Sequence, residues 1–113
     1  MTDRELLEAA AKAAGMTSLE WNDGGEPYSS GQGFVIDGRR IWNPLYSDGD
    51  ALRLVVKLKL HIGLESHTVS AWESDKFGNF QTENFIGRNE NDATRRAIVR
   101  AAAAMTHAMA AGA

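Results

Sequence analysis

The stretch Ile41–Leu60, IWNPLYSDGDALRLVVKLKL, decides the architecture, because a strand end, a tight turn, a capped helix and a new strand onset follow one another within it. Pro44 fixes its own φ and pushes Asn43 toward extended geometry, so the chain must turn after Trp42. Ser47 or Asp48 then serves as N-cap, and Asp50 adds negative charge in the first helical turn, where unpaired N–H groups and the helix dipole favour it. From Ala51 the apolar residues Leu52, Leu54, Val55, Val56 and Leu58 cover more than one helical stripe, and Arg53, Lys57 and Lys59 mark a narrow polar edge. On that pattern this helix is expected to be the most buried of the chain.

Working outward toward the N-terminus, Thr2-Asp3-Arg4-Glu5 has the form of a capping box and opens an alanine-rich helix over residues 3–14, which Gly15 closes in the left-handed conformation. Leu6, Leu7, Ala10, Ala13 and Ala14 form its apolar face. Glu8 and Lys12 stand at a favourable four-residue spacing toward water. Residues 22–33 are glycine-rich and read as a loop whose large members are Pro27 and Tyr28. The run from Phe34 to Trp42 reads as a hairpin turning at Asp37-Gly38, a pair that supplies positive φ angles.

Toward the C-terminus, Leu60–Glu73 is best divided into two strands around Glu65–His67, followed by a turn over Asp75–Asn79, a strand over Phe80–Ile86 and a polar connection over Gly87–Asn91. Asp92 is the expected cap of a last helix, with Ile98, Ala101, Ala102, Met105 and Met109 along one face and a fraying Ala-Gly-Ala end. The order is helix, hairpin, helix, meander, helix. It predicts an α+β fold in which an antiparallel sheet of four to five strands packs with three helices, as a single domain over residues 1–113.

Composition narrows the function classes. The 113 residues are 43% hydrophobic, enough for a core without disulfides or metals, and contain no cysteine, which removes thiolate metal sites and cysteine nucleophiles. A net charge of −3 is too mild for a nucleic-acid coat. Lys57 and Lys59 interrupt the best apolar run, so no stretch approaches the roughly 18 residues of a membrane span. Asp3, Arg4 and Glu5 precede the first apolar pair in the wrong order for a signal peptide, and a soluble, cytoplasmic protein is expected.

Taken together, TDRELLEAAAKAAG at the start, WNPLYSDGDALRLVVKLKL in the middle and DATRRAIVRAAAAM near the end resemble the small phage and prophage proteins grouped as the phage ABA sandwich domain. The resemblance spans most of the chain, and its middle segment is the specific part. It implies helices packed on a sheet, a phage-derived origin and a host bacterial cytoplasm. It brings no catalytic residues and no cofactor.

Several constellations have both a chemical and a plain reading. His61, Glu65 and His67 share strand parity and are metal-ligating types, but on an unbroken strand His61 and His67 would stand roughly 20 Å apart at about 3.3 Å per residue, so a polar strand face is the simpler reading. Asp48-Gly49-Asp50 resembles an acidic cation pair, yet Lys59 occupies the place where an EF-hand needs its last glutamate, and helix capping explains both aspartates. Ser29-Ser30-Gly31-Gln32-Gly33 leads into a strand and lacks the lysine of a phosphate-binding loop. Arg88, Arg95, Arg96 and Arg100, with Arg39 and Arg40, form either a basic patch or a solvated charge network with Glu90 and Asp92.

The aromatic residues separate in the same way. Trp42 ends a strand and belongs in the core, whereas Trp21, Tyr28 and Tyr46 lie in expected loops and are candidate surface anchors. With no catalytic fingerprint, the expected function is that of a non-catalytic protein-binding module. Its partner contacts are drawn from Trp21, Tyr28, Tyr46, Arg39, Arg40, Arg95, Arg96 and Arg100. Nucleic-acid binding through the same arginines is the alternative, and a small enzyme or metal-binding protein a further one. The small residues Ala97, Ala101 and Ala104/Ala108 of the last helix allow a close approach either by the chain's own sheet or, if the Met105, Met109 end outruns that sheet, by a second copy in a homodimer.

Overall fold

The structure is a computed structural model that describes residues 2–24, 31–36, 40–73, 81–84 and 89–112, with the backbone alone over 107–112. These residues form three helices and two three-stranded antiparallel sheets, the α+β class read from the sequence.

Helix α1, Asp3–Ala13, begins with the expected capping box: the Glu5 N–H donates to Thr2 Oγ1 at 3.1 Å and the Thr2 N–H donates to Glu5 Oε1 at 3.2 Å. It ends in a Schellman arrangement, the Met16 and Gly15 N–H groups donating to the Ala11 and Lys12 carbonyls, with Gly15 at φ +82°. Glu8 and Lys12 are paired at 3.3 Å.

The first sheet holds β1 (Trp21–Asp23), β2 (Gln32–Ile36) and β3 (Arg40–Trp42) in that spatial order. Strand β1 falls partly where the sequence reads as loop. It pairs through Trp21 opposite Phe34, and the ring contact between them, edge to face at 5.1 Å, gives a short polar segment a reason to be extended. Gly33 is required in β2: a Cβ there would lie 2.5 Å from Ile41 Cγ2 and from the Trp42 carbonyl oxygen. The hairpin of β2 with β3 is as expected, and its Asp37-Gly38 turn lies outside the described residues.

Helix α2, Asp48–Leu58, is capped by Ser47, whose Oγ accepts the Asp50 N–H at 3.2 Å, and Lys59 ends it in the left-handed conformation at φ 58°. The expectation that α2 is the most buried helix is overturned. Ala51 and Leu54 are buried, but Leu52 and Val56 on the opposite side are each 62% exposed. The apolar count of the segment exceeds what one helix side can bury against α3 and the β4 edge of the second sheet, its main neighbours among the described residues.

The second sheet holds β4 (Leu60–Leu64), β5 (Thr68–Glu73) and β6 (Gln81–Asn84), with the turn between β4 and β5 at Glu65–His67 as read from the sequence. Val69 and Ala71 of β5 are fully buried. On the other face Ser70 and Thr82 hydroxyls bond at 2.8 Å, and Trp72 lies over Gly63 and stacks on His61 at 5.6 Å.

Helix α3, Glu90–Gly112, is the centre of the molecule, burying Ala93, Ala97, Ile98, Val99, Ala101, Ala102 and Ala103. So wide a buried arc follows from packing on several sides, against α1, α2 and the second sheet. Its cap is Asn89 in place of the expected Asp92: Asn89 Oδ1 accepts the Asn91 and Asp92 N–H groups at 2.8 and 3.1 Å, while Asp92 turns to Arg95. Ala97 and Ala101 are therefore consumed by intramolecular packing, and Met105 packs partly buried against the core, which leaves the expected dimer face little free surface among the described residues. Because Asp3 meets Arg96 and the Ala9 carbonyl accepts from Thr106, α1 and α3 run parallel.

Candidate functional site: a cleft where three helices begin

Parallel packing of α1 and α3, with α2 tied to them by the Asp48–Arg95 pair, sets the first turns of all three helices at one end of the molecule. The first sheet lies beside them. Between the two is a cleft of about 1020 Å³, lined on one side by Asp3, Arg4 and Leu7, and on the other by Trp21, Asp23, Ile41 and the Asn43–Ser47 turn, with Asp92 and Arg96 behind.

The turn is held from within. Asp50, 2% exposed, accepts the Asn43 N–H at 3.0 Å and Arg40 Nη1 at 3.0 Å, with Arg53 at 3.9 Å. Asn43 in turn accepts the Leu45 N–H and donates to the Gln32 carbonyl. A buried carboxylate thus joins β3, the turn and α2, and Tyr46 is left 81% exposed at the cleft margin. The capping role read for Asp50 is only part of its work; its inward direction was hidden because its partners Arg40 and Asn43 come from a preceding strand and turn.

The electrostatic arrangement runs opposite to a basic patch. Arg95 is 12% exposed and donates to the Leu45 carbonyl, Asp48 and Asp92, whereas Asp48 is 79% exposed. Arg96 bonds both Nη atoms to Asp3 at 3.2 Å and is the more covered of the two. Arg100 is tied to Glu83 and the Thr82 carbonyl on β6, away from the cleft lining. Asp3, Asp48 and Asp92 thus face water with Arg95 and Arg96 beneath them, whereas Asp50 is the buried member of its pair with Arg40. Hydrogen bonds from the Thr2 backbone N–H and then the Thr2 hydroxyl also lower the pKa of Glu5.

Of the eight residues singled out from the sequence, the structure brings Trp21, Tyr46 and Arg96 to one cleft. Arg40 and Arg95 support its wall through Asp50 and the Leu45 carbonyl. Tyr28 and Arg39 lie outside the described residues, as does Arg88. Asp3, Arg4 and Asp23 join the lining without having been singled out; Arg4 stacks over Trp21 at 5.2 Å, a pairing across seventeen positions that no spacing rule exposes. Trp42 is buried, as expected.

His61, Glu65 and His67 do not converge. The β4–β5 turn falls at His67 itself, leaving His61 at the far end of the strand opposite Trp72. Among the described residues no group of three histidines or carboxylates is placed to hold a metal ion, and no helix is long and apolar enough to cross a membrane. The chain matches no protein-family model, no curated protein and no solved structure.

Proposed function

We propose that this protein is a non-catalytic binding module of phage or prophage origin, acting in the host cytoplasm, and that its cleft takes a cationic segment of a protein partner. The observation that carries the reading is the pairing of an aromatic margin, Trp21 and Tyr46, with the lining carboxylates Asp3 and Asp92, which face water while their partners Arg96 and Arg95 lie deeper. Aromatic faces and outward carboxylates both attract lysine and arginine side chains, the former as Trp21 already does with Arg4. The phage origin rests on the sequence resemblance of the Trp42–Leu60 segment and the two alanine-rich helices alone.

Nucleic-acid binding finds less support, because its candidate arginines among the described residues, Arg40, Arg95, Arg96 and Arg100, are committed to Asp50, Asp48, Asp92, Asp3 and Glu83. Affinity capture from a bacterial lysate tests the proposal, with captured proteins identified by mass spectrometry. Wild-type protein is expected to retain a basic partner that a Tyr46→Ala, Asp23→Asn double variant retains at least about tenfold less, the loss a single anchor commonly produces. Equal retention by the two proteins, or capture of nucleic acid with no protein, would reject it.

A further inference from the structure

The outer side of α2 is a second surface, remote in character from the cleft. Leu52 and Val56 stand four residues apart on one helical face, each 62% exposed, and neither lines the cleft. Scattered exposed apolar residues are ordinary; a helical pair beside a cluster of cations is a more specific feature. Here the cations are Arg53, Lys57 and Lys59, all exposed, and the one carboxylate on the same stripe, Asp48 a turn before Leu52, is already paired with Arg95. Lys57 and Lys59 form no ion pair among the described residues, and Arg53 reaches only the Asp50 carboxylate at 3.9 Å. The chain as a whole carries −3, so this is a local concentration of positive charge beside exposed aliphatic area.

We infer that this face docks an acidic amphipathic helix of a partner protein, whose aliphatic stripe covers Leu52 and Val56 and whose flanking aspartates or glutamates meet Arg53, Lys57 and Lys59. The charge decides the partner. A second copy of α2 would offer these three cations one carboxylate, Asp48, which is already paired with Arg95. An acidic segment satisfies all three cations at once. Two aliphatic side chains and rim charges make a weak, salt-sensitive contact, suited to a module that holds another ligand in its cleft.

The probe is a synthetic helical peptide with leucines along one stripe and glutamates on both flanks, titrated into isotope-labelled full-length protein and followed by amide chemical shifts. Expected are shifts confined to the Leu52–Lys59 region, affinity about tenfold weaker for Val56→Glu, and a further loss on raising salt. Both Leu52→Glu and Val56→Glu alter exposed positions, and undisturbed shift dispersion elsewhere checks that the fold is kept. Tyr46→Ala is expected to bind the peptide as wild type does, which separates this surface from the cleft. The inference is overturned if the α2 amides do not respond, if a glutamine-for-glutamate peptide binds equally, or if the substitutions change nothing. Sedimentation with phosphatidylglycerol vesicles that depends on Leu52 and Val56, without peptide binding, would overturn it in favour of a lipid surface. A concentration-dependent dimer abolished by Leu52→Glu would overturn it in favour of self-association.

Discussion

Asp50 shows what a single side chain does in this fold. Its two oxygens take one backbone and one guanidinium donor, so a buried carboxylate is neutralised and the turn ahead of α2 is held in place. Removing it leaves the Asn43 N–H without that acceptor, while Arg40, 45% exposed, can return to water. Asp50→Ala is therefore expected to cost about 2 kcal/mol, the range for an orphaned buried donor and well short of that for a fully stranded charge pair. Urea unfolding at neutral pH measures it, and a change within experimental error would refute the account. Glu5 offers a pH test. Its folded-state pKa is lowered by the Thr2 N–H and hydroxyl, so its contribution to stability is present above the unfolded-state glutamate pKa and disappears as pH falls through the depressed folded value. A carbon-detected NMR titration should find Glu5 below the ordinary glutamate range, and Thr2→Ala should move it only part of the way back because the backbone donor remains. Titration at the ordinary position in the wild type would contradict the capping-box origin of the shift.

At the scale of the element, α3 has to sit close to several neighbours, and alanine is how it does so. Ala97 and Ala102 are wholly buried, and side chains longer by even a few carbons would push α1, α2 or the second sheet outward. Ala102→Leu is expected to destabilise by about 2 kcal/mol through overpacking, even though leucine is an excellent helix former and would gain apolar burial. If thermal or urea unfolding showed the variant to be as stable as the wild type, the close approach around α3 would be in error. Much of the element layout was legible in the sequence: the Thr2–Glu5 box, the Gly15 stop, Ser47, and the β4–β5 turn each depend on contacts within a few residues. Strand β1 was not, since Trp21 becomes extended by pairing with Phe34 thirteen positions away. The burial of α2 was misjudged for a related reason. Hydrophobic count measures what a helix offers to a core, and only neighbours from elsewhere in the chain decide which side is accepted.

The whole molecule divides unevenly around α3. Helix α1, helix α2 and the second sheet pack directly on it, while the first sheet enters the core mainly through Phe34 and Trp42. Amide hydrogen exchange is expected to be slowest in β5 and the middle of α3 and faster in β1–β3, because segments with fewer buried contacts open with a smaller free-energy cost. Slower exchange in β1 than in β5 would contradict that ranking. The cleft sits against this more weakly attached sheet, so Trp21 of β1 belongs to the part of the fold best able to adjust to a ligand, whereas Tyr46 stands on the turn held by Asp50 and Arg95. The sequence by itself determined the fold class, the starts of α1 and α2, the stop of α1, and which residue types were available for a site, because these follow from periodicity, caps and turns that act over a few positions. Only the tertiary structure decided that the strands form two sheets, that Arg95 and Arg96 lie beneath the carboxylates they pair with, that Trp21, Tyr46 and Arg96 share one cleft, and that His61 and His67 stand apart. Each of those outcomes rests on groups brought together from distant positions by parallel helix packing and strand pairing, and electrostatic partners at such separations leave no periodic trace in the chain.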